Sequence, residues 1–280
     1  MEFMLGCDPE VFVADNSGPV PAVGMVPGSK TEPHPVPFGM VQVDGLALEF
    51  GIAPATNPLE FSDNIVRVRK QLEGMVPKGC KLQWTASAEF DRDKLRKLPA
   101  EALELGCEPD YNAYTEDVNP RPVAPFNIRS AGGHVHIGWT QGQDPLDYAH
   151  FKSCCRLAIE LDYQLGVPSM FADPDTRRRS IYGQAGAFRP KPYGMEYRTL
   201  SNFWVKDRRY HEWVWDSVDR AIYKLLKQSD TENMTAGYAR SAINGNDMRT
   251  ARTVFNSYAP VPPKFKDLFD RDLVKGKVLW

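Results

Sequence analysis

Polar residues recur in pairs two positions apart inside short apolar segments: Asp8/Glu10 in LGCDPEVFVA, His134/His136 in AGGHVHIGW and Glu196/Arg198 in YGMEYRTL. Strand side chains alternate faces, so each pair points one way while its neighbours pack elsewhere. Residues 2–14 alternate as a strand, and GMVQVDGLALEFGIA and CKLQWTASAEF read as further strands. FNIRSAGGHVHIGW is a central strand, or a strand pair bulged at its glycines. MEYRTLSNFW is the last strand. Helical spacing appears from Pro58 through PLEFSDNIVRVRKQLEGM, briefly near PAEALEL, and over roughly 145–166. Phe151, Cys154, Cys155, Ala158, Leu161 and Leu165 form the stripe of that third helix. The chain beyond the last strand is mainly helical, with Val214, Val218, Ala221, Ile222 and Leu225 on one face. From Asn16 to Gly39 a Pro- and Gly-rich stretch excludes regular structure and suits a functional flap. GCEPDYNAYTEDVNPRP reads as an irregular acidic segment. Unequal helices without regular βα alternation predict an α+β fold with an antiparallel sheet. We expect one domain over 1–280, with a core at 4–205 and a helical part at 206–280.

Composition narrows the class. At 280 residues, with 42% hydrophobic and 25% charged residues, the chain can bury a substantial core and reads as soluble and globular. A net charge of −2 argues against general nucleic-acid binding, which needs a basic excess. No apolar run is long enough for a bilayer, and MEFMLGCDPE lacks the basic-then-apolar order of a signal peptide. Five cysteines without CxxC suggest no disulfide framework, so a reducing cytoplasm is the expected compartment. No GxGxxG or Walker sequence is present.

The chemistry lies in the paired residues. Carboxylates and imidazoles are costly to bury unless they bind metal or one another. Three such strands side by side would build a carboxylate and histidine floor edged by arginine, a seat for Mg²⁺ or Mn²⁺ and a phosphorylated ligand. Asp8 and Glu10 offer two hard oxygen ligands or, less favoured by their apolar flanks, an exposed acidic strand end. Asp44 and Glu49 have an odd spacing, which puts them on opposite faces of a regular strand unless Gly45 is a bulge or Asp44-Gly45 a turn. Glu49 is the better ligand of the two. His134 and His136 suit metal or phosphate, and HxH serves Zn²⁺ equally well. Glu196 and Arg198 form either an ion pair or a metal ligand beside a clamp for phosphoryl or carboxylate oxygens. Arg189 and Lys191 in GAFRPKPYG are candidate phosphate contacts, and Arg129 is a weaker one. Arg177–Arg179 read as a solvated face. Cys7 and Cys107 each precede an acidic residue, which disfavours a reactive thiolate. Cys154 and Cys155 fit a helix core.

The order DPE, LEFGIAP, GGHVHIG and GMEYR resembles the carboxylate–amine ligases built on the glutamine synthetase fold, in particular the phage-associated COOH–NH2 ligase type 2 family, over roughly residues 4–205. The resemblance implies a curved, mainly antiparallel sheet with helices packed on its outer face. It implies ATP and Mg²⁺ (or Mn²⁺) as cofactors, and amide formation through an acyl phosphate. It assigns Asp8, Glu10, Glu49, His134 and Glu196 to the metals, with Asp44 at a further acidic position. His136 and Arg198 would face ATP phosphates or the reacting centre, with Arg189 on the phosphoryl group in flight. Lys30 in the PGSK loop becomes a phosphate or substrate contact. Asp8 stands where better-known members carry Glu. Glu89, Glu108 and Asp110 are the candidates to accept an ammonium proton. Small-molecule or peptide carboxylates and amines would be the substrates, with no membrane partner, a homo-oligomer as a possible assembly, and the host cytoplasm as the site if the chain is phage-encoded. Three alternatives stay open: an amine or guanidine kinase on the same fold, a zinc hydrolase using His134 and His136, and a binder without turnover.

Overall fold

The computed structural model describes residues 3–103, 110–120, 124–227, 237–258 and 261–269. In chain order its first strands are Met4–Cys7 (β1), Glu10–Asp15 (β2), Gly18–Val20 (β3), His34–Val36 (β4), Gly39–Asp44 (β5) and Ala47–Ile52 (β6). Lys81–Gln83 (β7), Ser87–Glu89 (β8), Tyr111–Asn112 (β9) and Ile128–Ser130 (β10) follow. Val135–Gly138 (β11), Ala187–Lys191 (β12) and Gly194–Tyr197 (β13) complete the set.

These strands form two main antiparallel sheets. One has the order β1–β11–β13–β12–β9. The other runs β3–β2–β6–β5–β4, with β7 pairing to β2. β8 and β10 make a separate pair. The chain passes between the main sheets at Asp8-Pro9, where proline supplies no ladder donor.

The alternation predicted for the paired segments holds. Leu5, Cys7, Val135, Ile137, Met195 and Tyr197 enter the large apolar core. Gly6, Asp8, His134, His136, Glu196 and Arg198, at the intervening positions, take the other face. Helices cover the core side, so the α+β arrangement with helices on the outer face is as expected. Helix Pro58–Met75 begins at Asn57, whose side chain accepts from Glu60 N at 2.9 Å. It buries Phe61, Ile65, Val68 and Leu72, each contributing about 1.5–3 kcal/mol. Tyr148–Leu161 packs on β12 and β13, and Arg208–Leu226 packs on both of those helices. Among the described residues, no helix is long and apolar enough to cross a membrane.

Several expected boundaries move. GMVQVDGLALEFGIA is a hairpin, not one strand: Asp44 pairs with Ala47 across a two-residue turn in which Gly45 has φ 57°. FNIRSAGGHVHIGW and CKLQWTASAEF each divide between different sheets, because Gly132-Gly133 and Trp84–Ala86 turn the chain between partners. The Pro-rich 16–39 stretch is not wholly irregular, since β3 and β4 pair with β2 and β5. The helix at 145–166 closes in a π-helical turn over Asp162–Gly166.

Candidate active site

Cross-strand register assembles the site. Gly6, His136, Glu196 and Arg189 stand in one row across β1, β11, β13 and β12. Asp8, just beyond β1, adds its carboxylate to that row. His136 Nε2 lies 3.0 Å from Asp8 Oδ2, and His134 Nδ1 lies 3.4 Å from Asp8 Oδ1 and 3.5 Å from Glu196 Oε1. Asp8, His136 and Glu196 each offer a ligand atom within 4.8 Å of the others. Three cations surround Glu196: Arg198 bonds its Oε1, while Arg189 and Lys191 stand 3.1 and 3.4 Å from Oε2. Arg198 Nε reaches Asp110 at 3.3 Å.

The second cluster comes from the other sheet. Glu10 pairs directly with Glu49, and the β5–β6 turn brings Asp44 round to the same face. Glu10, Asp44 and Glu49 also offer ligand atoms within 4.8 Å of one another. The odd spacing of Asp44 and Glu49 is therefore resolved by a turn. Glu10 Oε2 accepts from Gly132 N at 2.6 Å. Lys30, from the PGSK loop, approaches Asp44 Oδ2 at 3.8 Å.

The two clusters differ in charge balance. Burial is the largest influence on Glu196 and opposes its ionisation, but the charges of Arg198, His134 and His136 together hold the carboxyl down at about 2. Burial likewise opposes ionisation of Asp8, yet the charge on His136 and the contacts from both histidines hold it well below the carboxylate range. Burial would lower His136, and Asp8 raises it instead. In the acid-only cluster the charge of Lys30 acts in the same direction without offsetting the rest. Burial, then repulsion from Asp8, Glu10 and Asp44, pushes Glu49 well above its ordinary value. Burial and Glu10 raise Asp44. Three carboxylates so placed fit a divalent cation, which supplies the opposite charge they lack. The first triad fits one as well, because Asp8 Oδ1 and His136 Nε2 are buried without a well-directed hydrogen bond among the described residues.

Neighbouring residues shape the cleft. A Cβ at Gly132 would collide with the His134 ring, so glycine there lets imidazole lie against backbone. A cavity of about 330 Å³ opens beside Asp8 and His136, walled by Met4, Gly6, Met40, Ile52, Gly138 and Tyr193. Tyr193 OH stands 2.5 Å from His136 Nδ1. Neither Gly6 nor Gly138 has a positive φ, and added Cβ atoms would meet nothing nearer than 3.6 Å. These glycines leave the wall of the cavity flat.

Other expectations change. Arg129 is spent on the carbonyls of Phe126, Ile128 and Leu103 at 2.8–2.9 Å, on the separate β8–β10 pair. In this structure its guanidinium ties backbone segments together. Arg177–Arg179 are not a solvated face: Arg178 and Arg179 are buried, and Arg178 donates to Arg198 O and Thr199 O. Glu89 is exposed on β8 and accepts from Asn127 at 3.2 Å. Cys7 is buried, and burial followed by the neighbouring Asp8 charge raises its thiol, against a nucleophilic role. Cys107 and Glu108 lie outside the described residues. Sequence reasoning passed over Tyr193 and Gln42, whose residue types carry no signal without the register that places them.

Residues 120–234 match the model of the phage phiEco32-like COOH.NH2 ligase-type 2 family. No curated protein sequence matches the chain. Among solved structures, 96% of this chain is similar to 46% of a bifunctional glutathione synthetase from Pasteurella multocida, at 10% identity and a TM-score of 0.44. The same share is similar to 71% of a novel glutamine synthase homolog, at 11% identity and a TM-score of 0.38. The chain thus spans less than half the length of the glutathione synthetase. The resemblance read from GGHVHIG and GMEYR is borne out over residues 120–234, the segment that matches the phage phiEco32-like COOH.NH2 ligase-type 2 family.

Proposed function

We propose that the protein is an ATP-dependent carboxylate–amine ligase that forms an amide through an acyl phosphate. The observation carrying this reading is an acid-only triad beside a second triad ringed by Arg189, Lys191 and Arg198. Asp8, His136 and Glu196, with His134 against them, would hold one Mg²⁺ or Mn²⁺; Glu10, Asp44 and Glu49 would hold the other. When bound, such cations neutralise phosphate charge as a phosphoryl group moves from ATP to a carboxylate.

The protein's own groups supply the rest. Arg198 presents a planar fork to phosphoryl or carboxylate oxygens. Arg189 and Lys191 add fixed positive charge on the neighbouring strand, and Lys30 adds another from its loop. The flat-walled cavity suits a planar base whose phosphates lead toward Asp8 and His136. Asp110, beside Arg198, would take a proton from an incoming ammonium group. The 16–39 segment would keep water from the acyl phosphate. The carboxylate and amine would be small molecules or peptides, and the setting the cytoplasm.

The test is ADP and free phosphate release with Mg²⁺ or Mn²⁺ and pooled carboxylates and amines, with mass spectrometry of the products. Stoichiometric ADP and phosphate, with a product one water lighter than its two parents, supports the ligase. ADP with a phosphorylated acceptor and no phosphate moves the assignment to a kinase. Stoichiometric bound zinc with indifference to ATP sinks both.

A further inference from the structure

Gln42 is a buried amide facing the acid-only cluster. It is 4% exposed, and its Oε1 has no hydrogen-bond partner among the described residues. An unpaired buried carbonyl oxygen is a standing cost to the fold. The register fixes its side: Gln42 stands directly opposite Glu49 and two residues before Asp44 on β5. Val41 and Val43, at the alternate positions, pack into the apolar core. The Gln42 side chain therefore leaves the sheet on the face that carries Asp44 and Glu49.

An amide oxygen is a hard, neutral donor of the kind that divalent cations take alongside carboxylates. We propose that Gln42 Oε1 is a fourth oxygen ligand of the cation held by Glu10, Asp44 and Glu49. This rests on reading that cluster as a cation site. A neutral fourth donor completes more of the coordination without adding a fourth negative charge to groups that already repel one another. It also accounts for the unpaired oxygen, which is satisfied once the ion is in place.

The test is Mn²⁺ titration of the full chain, followed by electron paramagnetic resonance, for the wild type, Gln42→Leu and Gln42→Glu. The wild type should bind two ions. Gln42→Leu should lose about tenfold in affinity for one ion and nothing for the other, the loss expected of one metal-supporting contact. Gln42→Glu, which keeps an oxygen donor at that position, should still bind two ions. In EDTA the melting temperature of Gln42→Leu should equal or exceed that of the wild type, because its unpaired oxygen is gone. Equal Mn²⁺ affinities in the wild type and Gln42→Leu would overturn the role of Gln42 and leave the cluster intact as a cation site. Two ions lost together, with a lower melting temperature in EDTA, would make Gln42 a structural residue and overturn the proposal. No Mn²⁺ bound by the wild type would overturn the cluster reading itself.

Discussion

Arg178 holds the backbone of Arg198: its guanidinium donates to Arg198 O at 2.9 Å and to Thr199 O at 2.7 Å. Arg198 in turn bonds Glu196. One buried arginine thus fixes the strand end from which another reaches the site, even though burial pushes Arg178 down to about 10. Lysine is a point charge and cannot span both carbonyls as a planar fork does. Arg178→Lys should lose about 1.5–3 kcal/mol of stability in urea unfolding, and kcat should fall more than the ATP KM rises. A wild-type urea midpoint would show that the two carbonyls do not depend on this tie.

Glu49→Gln separates folding from function. The substitution keeps the shape and removes a charge that burial, Asp8, Glu10 and Asp44 all oppose. In EDTA the variant should melt higher than the wild type, while turnover falls on the order of 10²–10³-fold by loss of an electrostatic contact. A melting temperature in EDTA no higher than the wild type's would mean that the repulsion is already relieved in the free protein.

Two glycine substitutions should fail in different ways. Gly138→Val places bulk in the flat-walled cavity, where an added Cβ meets no atom nearer than 3.6 Å. It should fold, with a raised KM for ATP. Gly132→Ala meets the His134 ring, so the imidazole must shift from its place beside Asp8 and Glu196. Its kcat should fall by at least tenfold at saturating ATP, in keeping with the sensitivity of reactions to small misplacements. If Gly138→Val leaves the ATP KM unchanged, the cavity is not the nucleotide's seat.

Asp162 predicts a pH dependence. It is fully buried and accepts from Tyr197 at 2.7 Å and Tyr114 at 2.9 Å, yet burial raises its carboxyl to about 7. An unfolded Asp titrates near 3.9, so between pH ~4 and ~7 the folded chain keeps a proton that the unfolded chain has lost. The stabilisation is complete at low pH and disappears as pH rises through about 7, an effect on the order of a few kcal/mol. Asp162→Asn should flatten this part of the stability profile, measured as melting temperature between pH 5 and pH 8. An unchanged slope would assign it to other groups.

Alternation made much of this legible in the sequence. His134/His136 and Glu196/Arg198 share a face because strand side chains have a fixed period of two, which one sequence displays directly. What stayed hidden depends on partners distant in the chain. Asp44 and Glu49 meet only because Gly45 turns the strand back, and Asp44-Gly45 alone did not distinguish a turn from a bulge. Arg129 and Arg178 carry the same charge in similarly polar surroundings. Which one supports the site depends on the carbonyls each meets, some of them 20 or more residues away. The π-helical turn at Asp162 lies inside an unbroken helical pattern and left no mark on it.

Pro9 has a consequence for the whole cleft. Asp8 belongs to one cluster and Glu10 to the other, and a single residue joins them. Two trans peptide units span at most about 7 Å between their outer Cα atoms, and the proline ring stiffens the link. The separation of Asp8 and Glu10 thus has a covalent upper limit, however the sheets settle against each other. A substitution that slides one sheet along the other would reshape the walls around a substrate before it changed that spacing.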